Sequence, residues 1–484
     1  MNKPFRVLTI GWDVPFIRKM LVPLQERLAI TSACGILGNP DRIARLRLPM
    51  DIQAIALSPN RGQVLPAPDL NFLASLEAPG VPSIRNMILG DRVLNQLPAS
   101  TAMAYASFLG KQIQKAIEQT HPDLVLGTFD SLHSGMGLAV AHRMVVPWVA
   151  MAYTAIPAGL TAFSTTMSPN GLLPITREKD EALYQEAQAM IDGFRHRDPT
   201  LYRNVALNDT RFTIYRLGMH IKNLTRRFTT EPEEGRDPYT WPTSYTRMRD
   251  IVRRTVNGLT LPKKDFIHKP PSGDYAYFPL HMQPESSVDN WAPFYQDQFS
   301  LAKQVLRALP ANCTLVVKLH FIDPDNYSKA LLEDFLKLPG VKIADPMSQS
   351  RQFLEGAKLI IGIQGTICLE AAFIGKPTLV FGDSPYQYFP NTERAQVVDC
   401  LQEQIKRLIN KAPPCELQTK ESLVEYLSRF QRGSCNDWSK SPTQEEMEHL
   451  VRLFEKLIAF YCPVTAQEKS IPAHARQAAQ SLCH

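Results

Sequence analysis

The stretch Lys358-Leu359-Ile360-Ile361-Gly362-Ile363-Gln364-Gly365-Thr366-Ile367-Cys368-Leu369-Glu370-Ala371-Ala372-Phe373-Ile374-Gly375-Lys376-Pro377-Thr378-Leu379-Val380-Phe381-Gly382 decides the fold. Residues 359–363 are apolar and mostly β-branched, the mark of a buried strand. Gln364-Gly365-Thr366 then turns into a short helix over 367–374. Gly375 and Pro377 behind it are helix-stop signals. Residues 378–382 form the next strand, so the unit is β-α-β and its strands are parallel. Gly365 and Thr366 fall at the helix start, where unpaired N–H groups and the helix dipole favour a phosphate. Glu370, about one turn further on, is placed to accept hydrogen bonds from ribose or sugar hydroxyls. The same residues also suit a plain turn and cap, because Gly-Thr opens many helices and Glu in a first turn suits the dipole.

Two earlier segments tilt the balance toward a site. Asp274-Tyr275-Ala276-Tyr277-Phe278 reads as a strand ending at Pro279, followed by Leu280-His281-Met282-Gln283-Pro284-Glu285. Thr314-Leu315-Val316-Val317 reads as another, delivering Lys318 and His320 two residues apart, hence on one side if extended. Ligands of open α/β sheets bind beyond the carboxyl ends of the strands. His281, Gln283, Glu285, Lys318, His320, Gln364, Gly365, Thr366 and Glu370 at such ends describe a pocket for an anionic, hydroxyl-rich ligand, and a nucleotide sugar fits that description. A lone histidine at a strand end is usually structural; two, with a lysine and a Gly-Thr turn in successive units, make a constellation.

These residues carry a family resemblance. The string 278–285, Lys318-x-His320, and Gly365-Thr366-x-x-x-Glu370 with Gly375-Lys376-Pro377 resemble bacterial capsule and surface-polysaccharide biosynthesis proteins. Those are glycosyltransferases of the GT-B architecture and include transferases of 3-deoxy-manno-octulosonic acid (Kdo) from CMP-Kdo. The likeness covers about 275–382. It implies an α/β, GT-B-like fold: two Rossmann-like domains whose parallel sheets face a cleft, plus C-terminal helices. It also implies a nucleotide-sugar donor, a glycan or lipid-linked acceptor, and work beside a polysaccharide assembly or export complex at the inner membrane. The chain departs from the family at Lys318-Leu319-His320-Phe321, where members usually read Lys-Glu-His-Pro. That proline is associated with the donor's nucleotide phosphate, so its loss weighs against a CMP-sugar in particular.

A chain of 484 residues exceeds what one core usually organises. The reading assigns 1–260 to an acceptor-side α/β domain with a polar helical insertion at about 179–254, 261–400 to the donor domain, and 401–484 to C-terminal helices and a tail. In the first part, strands are expected at 5–10, 52–57, 123–127 and 147–151, and helices at 16–28, 108–119 and 135–143. Near the end, Ser441-Pro442-Thr443-Gln444 reads as N-cap, N1 proline and N3 glutamine of a helix.

A net charge of +6 is mild for this length and gives no nucleic-acid signature. The eight cysteines, Cys34, Cys313, Cys368, Cys400, Cys415, Cys435, Cys462 and Cys483, lack zinc spacing and fit a reduced cytoplasmic protein. The amino end enters a strand directly, so no signal peptide is expected. The apolar stretch 136–160 is broken by His142, Arg143, Pro147 and Pro157, so membrane association is expected to be peripheral.

For sugar transfer the first domain must supply a base. Asp130, at a strand end beside Ser131 and His133, is the first choice, followed by Asp13 after the first strand and by His133. Each Asp also suits a turn or cap. No cofactor and no metal are expected, since His281, Lys318, His320 and the helix start could meet the leaving phosphate and no Asp-x-Asp run is present. A sugar-nucleotide epimerase or hydrolase of the same architecture, and a non-catalytic assembly protein, remain open alternatives.

Overall fold

A computed structural model describes residues 4–12, 16–38, 40, 43, 48, 52–60, 62–129, 131–196, 237–432 and 442–462. Asp13, Asp130, Ser441, Cys435, Cys483 and most of the expected insertion lie outside them. The chain builds an α/β fold of two sheets. Among the described residues the first has seven strands in the order β13-β6-β5-β4-β1-β2-β3. These are β1 (Phe5–Ile10), β2 (Ile30–Ile36), β3 (Gln53–Ala56), β4 (Leu124–Gly127), β5 (Trp148–Tyr153), β6 (Leu160–Ser164) and β13 (Gln431–Arg432). The second runs β12-β11-β10-β7-β8-β9. Its members are β7 (Tyr275–Pro279), β8 (Thr314–Lys318), β9 (Val341–Ala344), β10 (Leu359–Gly362), β11 (Thr378–Val380) and β12 (Thr392–Arg394).

All pairs in the second sheet are parallel. In chain order it reads third-second-first-fourth-fifth-sixth, the doubly wound arrangement with a switch point between its first and fourth strands, β7 and β10. The first sheet repeats that order through β5, with its switch point between β1 and β4. Beyond β5 the first sheet adds two antiparallel strands. β6 returns antiparallel to β5, and β13 pairs antiparallel with β6.

One face of the first sheet is covered by helices Ala99–Thr120 and Leu132–Arg143. The other is covered by Gln444–Tyr461, whose Phe454 meets Phe163 edge-on at 5.4 Å. The carboxyl-terminal helices therefore divide. Leu401–Ile409 buries Leu401, Ile405 and Leu408 on the second sheet, whereas the last helix returns to the first. That last helix is capped by Thr443 with Glu446 completing the box, two residues later than the Ser441-Pro442 reading. The glutamate supplies a stronger acceptor for the cap N–H than Gln444 would.

The two domains share apolar core. Phe194, on helix Glu181–Arg195, lies 5.3 Å from Phe373 of helix Ile367–Phe373, and Tyr386 lies 5.6 Å from Tyr426 of helix Glu416–Ser428. Cys34 and Cys368 are buried, with thiols pushed by burial up to about 12, so both are packing residues. No helix among the described residues is long and apolar enough to cross a membrane.

Candidate functional site

The switch point of the second sheet brings together His281, Gln364 and Gly365, with Glu285 beside them. β7 lies between β8 and β10, so the loops that follow all three leave the same end of the sheet. His281 is buried just beyond β7. Its backbone is clamped by Gln298: the His281 N–H donates to Oε1 at 2.8 Å, and Nε2 of Gln298 donates to the His281 carbonyl at 3.1 Å. The ring then reaches the next signal, because the Gln364 N–H donates to His281 Nε2 at 3.4 Å. With Nε2 accepting, Nδ1 is the ring nitrogen left to donate. That nitrogen lies 3.4 Å from the Ser287 hydroxyl and 3.7 Å from the Glu285 carboxylate.

Gly365 is glycine for a local reason. A Cβ there would stand 3.2 Å from Cε1 and 3.3 Å from Nε2 of His281. Thr366 occupies the N-cap position of helix Ile367–Phe373, but its hydroxyl makes no capping hydrogen bond. Glu370 lies in the first turn, and its charge, after burial, helps push the Tyr277 and Tyr386 hydroxyls upward. Burial would raise the Glu285 carboxyl, but the hydrogen bond and charge of His281, with Ser287, hold it below the ordinary value.

His320 belongs to the same electrostatic group. Burial lowers it to about 4, opposed by Glu285 and reinforced by His281 and Lys318. It is therefore neutral near pH 7, a hydrogen-bonding ring stacked on Phe321 at 4.8 Å. Its Nδ1 accepts from the Ile322 N–H at 3.3 Å, which puts the ring proton on Nε2.

Lys318 does not share its side. It is 4% exposed, and its ammonium donates to the Pro346 carbonyl at 2.9 Å. Burial lowers it to about 8 against the pull of Asp345. The alternation that would align Lys318 with His320 fails because β8 ends at Lys318 and the chain turns beyond it.

Gln283 is spent on the loop itself. Its N–H donates to Asp323 at 3.0 Å, its Nε2 to the Gln296 carbonyl at 2.9 Å, and its Oε1 accepts from Gln298 at 2.8 Å. Gln298 and Asp323 escaped the sequence reading, since nothing local says that a helix residue 17 positions later would clamp His281.

The first sheet's switch point is built by Gly11 and the turn after β4. Gly11 has φ +85°, and a Cβ on it would stand 3.0 Å from the Ser131 hydroxyl and 3.2 Å from that of Thr128. The chain leaves the adjacent parallel strands β1 and β4, after Ile10 and Gly127, at one sheet end. The structure places His133 elsewhere, in the interior. It is 2% exposed, with Nε2 at 3.0 Å from the Tyr105 hydroxyl and 3.5 Å from Asp237. Asp237 also accepts from Ser58 at 2.8 Å, from the Tyr239 N–H at 2.9 Å and from Tyr105. Burial would raise the Asp237 carboxyl, but the His133 contact and the Tyr105 hydrogen bond outweigh it and hold it low.

Trp291 joins the two switch points. Its indole N–H donates to the Phe129 carbonyl at 3.2 Å, and its own carbonyl accepts from Gln364 Nε2 at 3.3 Å. Nearby, Arg92 donates to the Pro284 carbonyl at 3.1 Å across the same seam. A groove of about 440 Å³ lies apart from these residues, beside helix Gln444–Tyr461. Its acids match its cations in number but for one; Arg177 is paired with Glu186, and Lys456 donates to Gln431. Among the described residues, no group of three or more His, Cys, Asp or Glu is arranged to hold a metal ion.

No protein-family model matches the chain, and no curated protein matches it. Among solved structures it is similar to a β-Kdo 2,7 transferase, KpsC of Thermosulfurimonas dismutans, at 14% identity and TM-score 0.32, over 71% of this chain and 90% of that one. It is similar to the glycosyltransferase VinC in complex with dTDP at 14% identity and TM-score 0.27, over 93% and 100%. UDP-GlcNAc 2-epimerase of Methanocaldococcus jannaschii in complex with UDP-GlcNAc and UDP matches at 12% and 0.27, over 87% and 98%. The two sheets define the architecture, and the residues at their switch points define the site.

Proposed function

We propose that the chain is a nucleotide-sugar-dependent glycosyltransferase that extends a glycan or lipid-linked acceptor in capsular or surface polysaccharide synthesis. One observation carries this reading: His281, Gln364 and Gly365 pack against one another at the switch point between β7 and β10, with Glu285 and His320 beside them. Switch points of doubly wound sheets are where such ligands lodge. In this scheme the donor's phosphate lies against Gly365 and Thr366, with His281 and His320 as hydrogen-bonding rings. Glu370 takes sugar or ribose hydroxyls. Lys318 acts from beneath, through its charge and its hold on the Pro346 carbonyl, and Gln283 shapes the loop.

The acceptor hydroxyl attacks the anomeric carbon as the bond to the leaving phosphate oxygen breaks. Asp130 takes the hydroxyl proton, and the phosphate keeps the electron pair. Asp13 is the alternative base, and His133 lies in the interior against Tyr105 and Asp237. Kdo from CMP-Kdo is the donor that the sequence resemblance brings forward. Phe321, in place of the family's proline, weighs against a CMP-sugar and keeps UDP-, GDP- and dTDP-sugars in the test. The protein would work in the cytoplasm, peripherally at the inner face of the membrane, beside an assembly or export complex.

The test is thermal stabilisation of the purified chain across a panel of CMP-, UDP-, GDP- and dTDP-sugars. A ligand at about a hundred times its dissociation constant adds about 2.7 kcal/mol. Stabilisation by one donor class, with turnover only when an acceptor is present, supports the transferase. The Gly365-to-Glu370 helix start and the Gly375-Lys376-Pro377 ending also suit an epimerase or hydrolase, which would turn the donor over alone. Binding without turnover on any acceptor would mark an assembly protein, and no stabilisation by any nucleotide sugar would end the proposal.

A further inference from the structure

Trp291 lies in the loop between β7 and helix Gln298–Ala308 and touches both candidate half-sites through different atoms. Its indole N–H holds the Phe129 carbonyl, and its ring meets the Phe129 ring edge-on at 5.3 Å and 76°. Its backbone carbonyl holds the side chain of Gln364. Phe129 immediately precedes position 130, where the proposed base sits, and Gln364 immediately precedes Gly365. One residue therefore spans from the turn after β4 in the first sheet to the turn after β10 in the second.

The contact is anchored on both sides. Gln364 is 5% exposed and its N–H is tied to His281, so the second-domain end of the link is fixed to the sheet. Phe129 is 7% exposed, and the N–H of Thr128 before it is held by the Ser134 hydroxyl. A bond between two anchored turns transmits position, whereas the same bond between loose loops would only tether them.

We propose that Trp291 is a positioning residue that sets the distance between the acceptor-side turn and the donor-side turn. Its catalytic consequence rests on the transferase reading above; its structural consequence does not. Displacing a base by about 1 Å from a reacting hydroxyl can lower turnover by about a hundredfold without touching donor binding.

The experiment uses the full-length protein with Trp291→Phe, which keeps a ring but removes the N–H, and Trp291→Ala, which removes both. Amide hydrogen exchange is read at 131–135 and 363–368, with β8 as the internal reference. Loss of one hydrogen bond speeds local opening by about three- to tenfold. The expected result is faster exchange on both sides of the seam, larger in Trp291→Ala than in Trp291→Phe, with β8 unchanged. Unchanged exchange in Trp291→Ala, or a change confined to one side, overturns the proposal.

Kinetics are then measured with whichever nucleotide sugar the thermal panel selects. Donor affinity is expected to stay within about twofold while turnover falls by about tenfold or more in Trp291→Ala, the signature of lost alignment rather than lost binding. Equal loss in affinity and turnover would assign Trp291 to the donor pocket and overturn the positioning role. If the unaltered chain neither binds nor turns over any nucleotide sugar, the transferase reading fails, and the exchange measurement alone still decides whether Trp291 couples the two turns.

Discussion

His281 and His133 each follow a strand that borders a switch point, β7 in the second sheet and β4 in the first, yet the fold uses them in opposite ways. After β7 the chain runs on as a loop, and the His281 ring lies against the backbone of a neighbouring turn, with Glu285 and His320 close by. After β4 a helix starts almost at once. Its first turn carries His133 inward onto Tyr105 and Asp237, the latter reached only after a long stretch of intervening chain. The sequence signal is the same in both places. What differs is whether the backbone beyond the strand becomes helix, which turns side chains toward the core, or stays irregular, which leaves them at the sheet's edge.

The largest separation between the two regions should come from the proposed base. Asp130→Asn keeps size and most hydrogen bonds but removes the basic site. Turnover in a transfer assay is expected to fall by roughly 10²–10⁴-fold with donor affinity preserved. Near-normal turnover would move the role to Asp13.

Next comes the histidine pair itself. His133→Ala removes a partner from a buried carboxylate and leaves a cavity, a change that costs about 3–5 kcal/mol. Its denaturation midpoint should drop sharply while the donor affinity of the remaining folded protein is unaltered. His281→Ala should do the reverse, weakening donor binding by about tenfold with a small effect on stability. Equal behaviour of the two variants would erase the contrast.

Acid should expose the same division. His320 is lowered from 6.5 to about 4, so the unfolded chain binds its proton first. Its contribution to stability is complete above about pH 6.5 and is lost as pH falls toward 4. Asp237 is also held low, so its contribution persists lower still and fades below the ordinary carboxylate value. A denaturant series from pH 7 to 3 should therefore show an upper step that His320→Gln abolishes. Lys318, lowered from 10.5 to about 8, should make stability rise with pH across that interval, and Lys318→Met should flatten the rise.

The smallest effect concerns two threonines at helix starts. Thr443 accepts from the Glu446 N–H, whereas the Thr366 hydroxyl makes no cap. Thr443→Ala should cost about 1 kcal/mol. Thr366→Ala should be close to neutral for stability and show itself in donor binding alone.

Much of this was legible in the chain. The unit 358–382 announced strand, turn, helix and strand, because its apolar run and its Gly and Pro punctuation are local signals. The strands at 5–10, 275–279 and 314–318 were equally plain. β2 was missed because Ile30–Ile36 mixes small and polar residues into its run, and β9 because four residues of alternating character are too few to register. The late pairing of β13 with β6 depends on contacts some 270 residues apart in sequence, which no window reads. His281, Gln364 and Gly365 follow strand ends, and a strand end is a local signal. Gln298, Trp291 and Asp237 carry no such signal, since each acts on a partner brought near only by the completed fold.

The proposed donor site lies between β7 and β10. The most direct measurement is a co-crystal structure with the nucleotide sugar that gives the largest thermal shift. The prediction is a phosphate within hydrogen-bonding distance of the Gly365 and Thr366 N–H groups, beside the His281 ring. A nucleotide sugar seated instead in the groove beside Arg177 and Arg452, or against the first sheet with the Gly365 turn untouched, would contradict it.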